Sequence, residues 1–508
     1  MTFRPLDIIA IVAYLAAVAG MGVYFARKNK STEEYFVGNR SFPGWVVGLS
    51  MLGTTISSVT FLAFPAAAFK LDWRLIVPNL FVPAVAVLAI VVFIPFFRRG
   101  RLTSAFEYLG DRYGPVTRLY GTFSFIFLQL LRLGKILFLV AIPINILTGV
   151  PMTTVIVAAG IFIAFYTVAG GIEAVIWTDV IQAIVLIVGG VVCFIYIVMS
   201  LPGGLPQIFE IASADGKFHV GSMDWDLGKR TFWTVAMLGI FNWIVIYSSD
   251  QNIIQRYAAA ASTREARKAT AVYSLVAVPT WVFFFFLGTC VFVFYRVFPD
   301  PRIATLEADQ VFPYFILTKI PAGIAGITIA GVLAAAMSSL DSSINAISTV
   351  TVVDILKPYI CPGRDDRFYL RFARVLATCT AGMMIGGAVF FQHVPKESMA
   401  DLSLIVASVF GGCMVGLFMM GFFTTRVDNR SALIALGLAI GLNVYFVLNT
   451  LGWLPETMRI DVHAYWVGMI VNGFFVTTAY GISLISKGSR ENLDGLTIWT
   501  LSVKGETK

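Results

Sequence analysis

Charge is what this sequence has little of. Its 508 residues include only 37 Lys plus Arg and 29 Asp plus Glu, 13% of the chain, about half the share usual in soluble domains. So few charges cannot cover a water-soluble globule of this size without leaving large apolar patches bare. An ordinary soluble enzyme, a disordered chain and a nucleic-acid binder are excluded on that ground. Histidine is scarcer still: His219, His393 and His463 are scattered, so no histidine metal centre is expected. The five cysteines are an odd count with neither zinc nor disulfide spacing. Cys193, Cys290, Cys379 and Cys413 lie in apolar runs, where a thiol behaves as a small hydrophobe, and Cys361 lies in a polar loop. No low-complexity stretch and no domain boundary of the soluble kind interrupts the chain.

What is abundant is apolar: 58% hydrophobic residues, a mean hydropathy of +0.82 and 44 glycines. These are the marks of a polytopic membrane protein. Thirteen apolar segments reach spanning length, near 5–26, 44–69, 75–97, 119–149, 152–170, 174–200, 231–250, 270–295, 322–349, 372–391, 401–424, 431–451 and 463–486. They are continuously apolar and twice the length of a barrel strand, so helices are expected, which satisfy their backbone groups internally. The first segment does not read as a cleavable signal, because only Arg4 precedes it while Arg27, Lys28 and Lys30 follow. Alternate loops are unequal in positive charge. One set holds 24 of the 37 Lys and Arg, including Arg98, Arg256, Arg267, Lys357 and Arg426, against 11 in the other, with Arg132 and Lys135 inside a span. The positive-inside rule makes the richer set cytoplasmic. The N-terminus is then outside and the C-terminus inside. The longest loops, near 201–230 and 296–321, are external.

Ionisable and hydroxylic residues inside spans are costly and therefore functional candidates. The second span carries Gly53-Thr54-Thr55-Ile56-Ser57-Ser58-Val59-Thr60, with Pro65 beyond. Glycine and β-branched residues weaken a helix, and hydroxyls can satisfy the groups a break sets free. An unwound stretch here would offer carbonyls to a cation and hydroxyls to a solute. The alternative is an unbroken helix whose hydroxyls bond back to the preceding turn. In the ninth span Ser338, Asp341 and Ser342 share one face, and Ser339 is turned about 100° away. A hard cation prefers such oxygen ligands; a small-residue packing seam would explain the serines but not Asp341. Asp179 in the sixth span would need a cation or a proton to be buried beside Asp341; the alternative places it, solvated, at the membrane surface. Arg132 in the fourth span either faces a cavity and a carboxylate or is a structural ion pair or a snorkelling side chain. Lys135, one turn on, is assigned no role. The seventh span ends in Ser248-Ser249-Asp250-Gln251-Asn252, five spans after the second. Paired interrupted spans point to a transporter of inverted repeats.

Three stretches carry a resemblance: Thr54-Thr55-Ile56-Ser57-Ser58-Val59-Thr60-Phe61, Gly170 through Gln182 with its Trp177-Thr178-Asp179, and Asp250-Gln251-Asn252-Ile253-Ile254-Gln255-Arg256-Tyr257. Over about residues 5–480 the chain resembles the sodium/solute symporter family, and within it the bacterial sodium/sialic acid symporters. The resemblance implies an all-α membrane protein of LeuT-like inverted-repeat architecture. An extra N-terminal helix and loop would occupy 1–43, five-helix repeats 44–200 and 201–426, and two further helices with a cytoplasmic tail 427–508. It implies a first sodium site at Gly53, Ile56, Ala335, Ser338 and Ser339, and a second at Asp179, Ser338, Asp341 and Ser342. Asp341 stands where those relatives carry serine. The implied solute site uses Ser57, Thr60, Leu75, Asn79 and Arg132, with Leu75 in place of a phenylalanine and Asn79 in place of a glutamine.

The expected function is import of a small, anionic solute such as sialic acid with two sodium ions, by alternating access. The expected protein is monomeric and multi-pass in the bacterial inner membrane, without organic cofactor, enzymatic activity or nucleic-acid partner. A symporter for a monocarboxylate, neutral sugar or amino acid is the nearest rival. A passive channel and a membrane-embedded enzyme stand further off, since neither a repeated pore motif nor a nucleophile–base pair is present.

Overall fold

The computed structural model describes residues 4–27, 30–57, 59–99, 102–226, 229, 231–393, 412–462, 464–486 and 493–500. Over these the protein is helical, with one isolated bridge joining Phe42 to Ala260. Ten helices are long and apolar enough to cross a membrane, or eleven when the bent pair Gly44–Thr55 and Thr60–Lys70 is taken as one span. Most expected spans coincide with these helices. The expected segment 401–424 begins outside the described residues, and its visible part is the short apolar helix Met414–Phe423.

The segments expected at 152–170 and 174–200 form one continuous run, Met152–Ser200, kinked at Gly171. There φ is +58° and ψ −162°, a conformation open essentially to glycine. A Cβ on Gly171 would also lie 2.7 Å from the Tyr35 ring. Unkinked, 49 residues would extend about 74 Å, more than twice the hydrocarbon thickness.

Two helices break where the sequence concentrates hydroxyls and acids. Gly44–Thr55 stops at Ile56, which is extended (φ −84°, ψ +104°), and the chain resumes through a π-helical turn, Val59–Ala63, at a 65° bend. Phe232–Ser249 stops at Asp250 (φ −79°, ψ +115°) and resumes as Gln251–Ala259. The Asp250 side chain accepts the Asn252 N–H and so caps the second piece. Every residue of Gln251–Ala259 is buried. Arg256, expected in a cytoplasmic loop, is therefore an interior residue. An α-helical piece packed inside the protein can hold polar side chains that look, in sequence, like a loop.

The helix Ile324–Val350 lies at the centre, buried nearly throughout, and packs most extensively against the kinked helix Met152–Ser200. Its small residues (Ala334, Ala335, Ala336, Ser338, Ser339) permit that close approach. Lys217, expected as an external loop charge, is also buried. Its Nζ donates to the carbonyls of Phe69 (2.6 Å) and Leu71 (2.9 Å), closing the C-terminal end of Phe64–Lys70. Burial holds this ammonium below the usual lysine pKa.

Candidate ion and solute site

The broken helix Gly44–Thr55, the kinked helix and the central helix converge at Gly53. A Cβ on Gly53 would lie 2.7 Å from Ser338 Oγ and 3.1 Å from both Asp179 Cβ and the Asp179 carbonyl. Only a residue without a side chain lets these three backbones meet. Ser338 Oγ donates to Asp179 Oδ1 at 2.5 Å, and Ser339 Oγ donates to the Thr54 carbonyl at 3.1 Å. The two serines thus point in different directions, one to the carboxylate and one to the end of the broken helix. That end leaves carbonyls without intrahelical donors. Freed carbonyls beside serine hydroxyls make an all-oxygen set that suits a hard cation.

Asp179 is fully buried, which excludes a surface position. Its Oδ2 accepts from Ser50 Oγ (2.5 Å) and from Arg256 Nη2 (2.7 Å). Arg256 is itself fully buried and makes four bonds. Nε donates to Ser50 Oγ, Nη1 to the Asn252 carbonyl, and Nη2 to both Asp179 and Ser342 Oγ, all at 2.7–2.8 Å. One arginine thereby ties together the broken helix, the kinked helix, the central helix and the piece beyond Asp250. Asp341, also fully buried, accepts from Tyr166 OH at 3.0 Å and from Ser342 Oγ at 3.3 Å. The expected ligands Asp179, Ser338, Asp341 and Ser342 are therefore one cluster. Ala335 lies one turn before Ser338 and Ser339 on the central helix.

The residues expected to meet the solute lie around the break. Arg132 Nη2 donates to the Thr54 carbonyl at 3.4 Å, and Asp250 is the acid whose charge bears on it. Ser57 and Thr60 are buried on the π-helical side, with the Thr60 N–H bonded to the Ser57 carbonyl at 2.9 Å. Leu75 packs, with Phe64 and Trp73, on the small cluster of Ala68, Ile76 and Phe285, and Asn79 follows it one turn on. The structure brings Arg132 to Thr54; for Leu75 it gives an aromatic neighbourhood, not a contact with Arg132.

Four participants escape a reading of the sequence: Ser50, Arg256, Tyr166 and Gln129, whose Oε1 accepts from Ser343 Oγ at 3.0 Å. Arg256 had a signal, because it lies in the stretch Asp250–Tyr257 that carries the resemblance. The other three are ordinary polar residues in apolar runs.

Comparison with known proteins agrees with this architecture. The chain is 31% identical over 512 residues to the sodium/sialic acid symporter NanT of Aliivibrio fischeri, covering 100% of this chain and 98% of that protein. It is 33% identical over 441 residues to the sodium/sialic acid symporter SiaT of Proteus mirabilis, covering 86% and 88%. Its structure superposes on a substrate-bound, outward-open Na+-coupled sialic acid symporter with a TM-score of 0.87 and 29% identity, over 95% of this chain and 98% of that one. The family model for the sodium:solute symporter family matches residues 35–441. With so much of its length matched, the broken helix, the kinked helix and the central serines included, the chain belongs to the sodium:solute symporter family.

Proposed function

We propose that this protein imports a small anionic solute, sialic acid being the best fit, driven by two sodium ions moving inward. The observation that carries the reading is the convergence at Gly53. A broken helix end with freed carbonyls, the buried Asp179 of the kinked helix and Ser338 and Ser339 of the central helix meet there within hydrogen-bond distance, with the buried Asp341 one turn further along the central helix. The first ion takes the Gly53, Ile56 and Ala335 carbonyls with the Ser338 and Ser339 hydroxyls. The second lies in the carboxylate cluster of Asp179, Asp341, Ser338 and Ser342. Ser338 stands between the two and links them. Arg132, with a guanidinium fork that suits a carboxylate, receives the acid group of the solute, while Ser57, Thr60, Leu75 and Asn79 shape the rest of the site.

Thirteen spans, an external N-terminus and a cytoplasmic C-terminus in the inner membrane complete this reading. Its support is the kink at Gly171 and the matched breaks at Ile56 and Asp250, which fall five spans apart in repeats 44–200 and 201–426. Sodium binding from outside draws the broken helix onto the central helix and orders Ser57 and Thr60. The coupling is reciprocal, so solute raises sodium affinity. Each sodium ion entering down 100 mV releases about 2.3 kcal/mol.

The test is uptake of labelled N-acetylneuraminic acid into proteoliposomes, with an inward sodium gradient and with potassium in its place. Sodium-dependent uptake is expected, and Arg132→Ala should reduce it at least tenfold, mostly through KM. Equal uptake in potassium would overturn the sodium coupling. Sodium-stimulated uptake of lactate or glucose but not of sialic acid would keep the coupling and overturn the solute, with Leu75 and Asn79 as the positions to examine.

A further inference from the structure

The N-terminal helix Pro5–Ala26 is pinned to the rest of the protein at two points. Near its C-terminal end it crosses the kinked helix so closely that a Cβ on Gly22 would lie 2.6 Å from Tyr166 Cβ. Near its start it meets the central helix, where a Cβ on Gly326 would lie 2.5 Å from Asp7 Cα. Asp7 Oδ1 accepts the Gly323 and Gly326 N–H groups at 2.7 and 2.8 Å, which fixes this end to the first turn of the central helix. Between the two points a cavity of about 700 Å³ lies among the N-terminal, kinked and central helices. That is the size of a ligand site, about 300–1,000 Å³, and far above the voids that packed interiors leave.

The walls of this cavity are graded. Its polar lining residues Arg4, Asp7, Thr148, Thr154 and Thr318 all belong to helix ends. Deeper, the lining is apolar, down to Phe162 and to Ile329, Leu333 and Met337, which share one face of the central helix. From Arg4 to Leu15 the N-terminal helix advances about 16 Å along the wall, half of a hydrocarbon core about 30 Å thick. Ile8, Thr154 and Ala158 line the cavity and are exposed, so it opens sideways at the periphery of the helical body. At the polar end one donor is left over. Arg4 Nε donates to Asp7 Oδ2 at 2.6 Å and Nη1 to the Ile320 carbonyl at 2.9 Å, while the buried Nη2 has no acceptor among the described residues. Buried donors are nearly always paired.

Water suits the polar end but not the apolar depth, which offers it no partners. A sugar or other small polar solute fails there for the same reason. An amphiphile one leaflet long meets both demands. We propose that this cavity holds one acyl chain of a membrane glycerophospholipid, with a phosphate oxygen accepting from Arg4 Nη2. The chain ends against Met337, whose neighbour Ser338 bonds to Asp179. The lipid therefore supports the central helix directly behind the ion cluster. This site stands apart from the transport reading and does not depend on it.

The experiment uses the purified full chain in detergent with a trace of phosphatidylethanolamine that carries a diazirine midway along one acyl chain. After irradiation, labelled peptides are mapped by mass spectrometry. Label is expected on 152–163 and 324–337, and excess ordinary phosphatidylethanolamine should suppress it. Ala159→Trp, which sets a ring into the cavity, should cut this label at least tenfold. Label around Met199, an 81% exposed residue on the outside of the kinked helix, should not change. Arg4→Gln should raise about tenfold the phospholipid concentration that gives half-maximal protection. Thermal unfolding before irradiation checks that each variant is folded. Wild-type label confined to exposed faces such as Met199, or undiminished label on 324–337 in folded Ala159→Trp, would overturn the site. Native protection in Arg4→Gln would overturn the phosphate contact. Cavity label displaced by palmitate but not by phospholipid would overturn the occupant in favour of a free fatty acid.

Discussion

Arg256 and Asp179 show how much one residue pair can hold. The guanidinium touches four segments of chain, and its carboxylate partner receives Ser50 and Ser338 as well. Breaking a buried ion pair from one side leaves an uncompensated charge, at a cost of about 3–5 kcal/mol. Arg256→Met should therefore lower the melting temperature sharply. Adding Asp179→Asn should recover part of the loss, because it removes the stranded charge. Thermal unfolding of the two single variants and the double variant measures this coupling; strictly additive losses would show that the pair carries no energy of its own. Asp179 was legible in the sequence, because a carboxylate inside an apolar run has few bland explanations. Arg256 was not. It sits beyond a span end, close to Arg264, Arg267 and Lys268, and the positive-inside count absorbed it as one more loop charge.

At the scale of elements, the decisive feature is where helices stop. The sequence pointed to a break in the second span through its glycine, β-branched residues and hydroxyls. The structure places the stop at Ile56, with Gly53 one turn earlier as the point of closest approach to Ser338. Gly53→Ala would set a methyl 2.7 Å from Ser338 Oγ and force the broken helix away from the central one. The sodium concentration for half-maximal uptake should rise about tenfold, equivalent to ~1.4 kcal/mol, while melting in potassium changes little. Sodium dependence identical to wild type would remove Gly53 from the ion site. The seventh span was legible only as far as about residue 250. Its continuation, Gln251–Ala259, has the composition of a loop (Gln251, Asn252, Gln255, Arg256), and only packing against the central and broken helices makes it a buried helix.

For the whole molecule, orientation is the property most directly open to test. Moving Arg256 and Lys217 out of the loop tally takes one charge from each side, so the excess on the cytoplasmic side is unchanged. Met223, exposed in the long loop after Gly204–Ala214, should face outward, and Cys361 should face the cytoplasm. A thiol reagent that cannot cross membranes should label Met223→Cys from outside intact cells and Cys361 only in inverted vesicles. The reverse pattern would invert the topology and the direction of transport with it. Cys193, Cys290 and Cys413 are buried and should stay unlabelled in both.

Composition alone made this a helical membrane protein, since too few charges and long apolar runs leave a chain no other way to satisfy its backbone. Local chemistry then marked Gly53, Asp179, Ser338 and Asp341 as unusual for their surroundings. Periodicity could say that Ser338, Asp341 and Ser342 share a face, because that follows from 3.6 residues per turn. It could not say what faces them. That Asp179 is held by Arg256 and that Asp341 meets the Tyr166 hydroxyl depend on contacts between residues tens to hundreds of positions apart. Sequence spacing carries no distance across such separations. Only the packing of the kinked, broken and central helices brings these groups together.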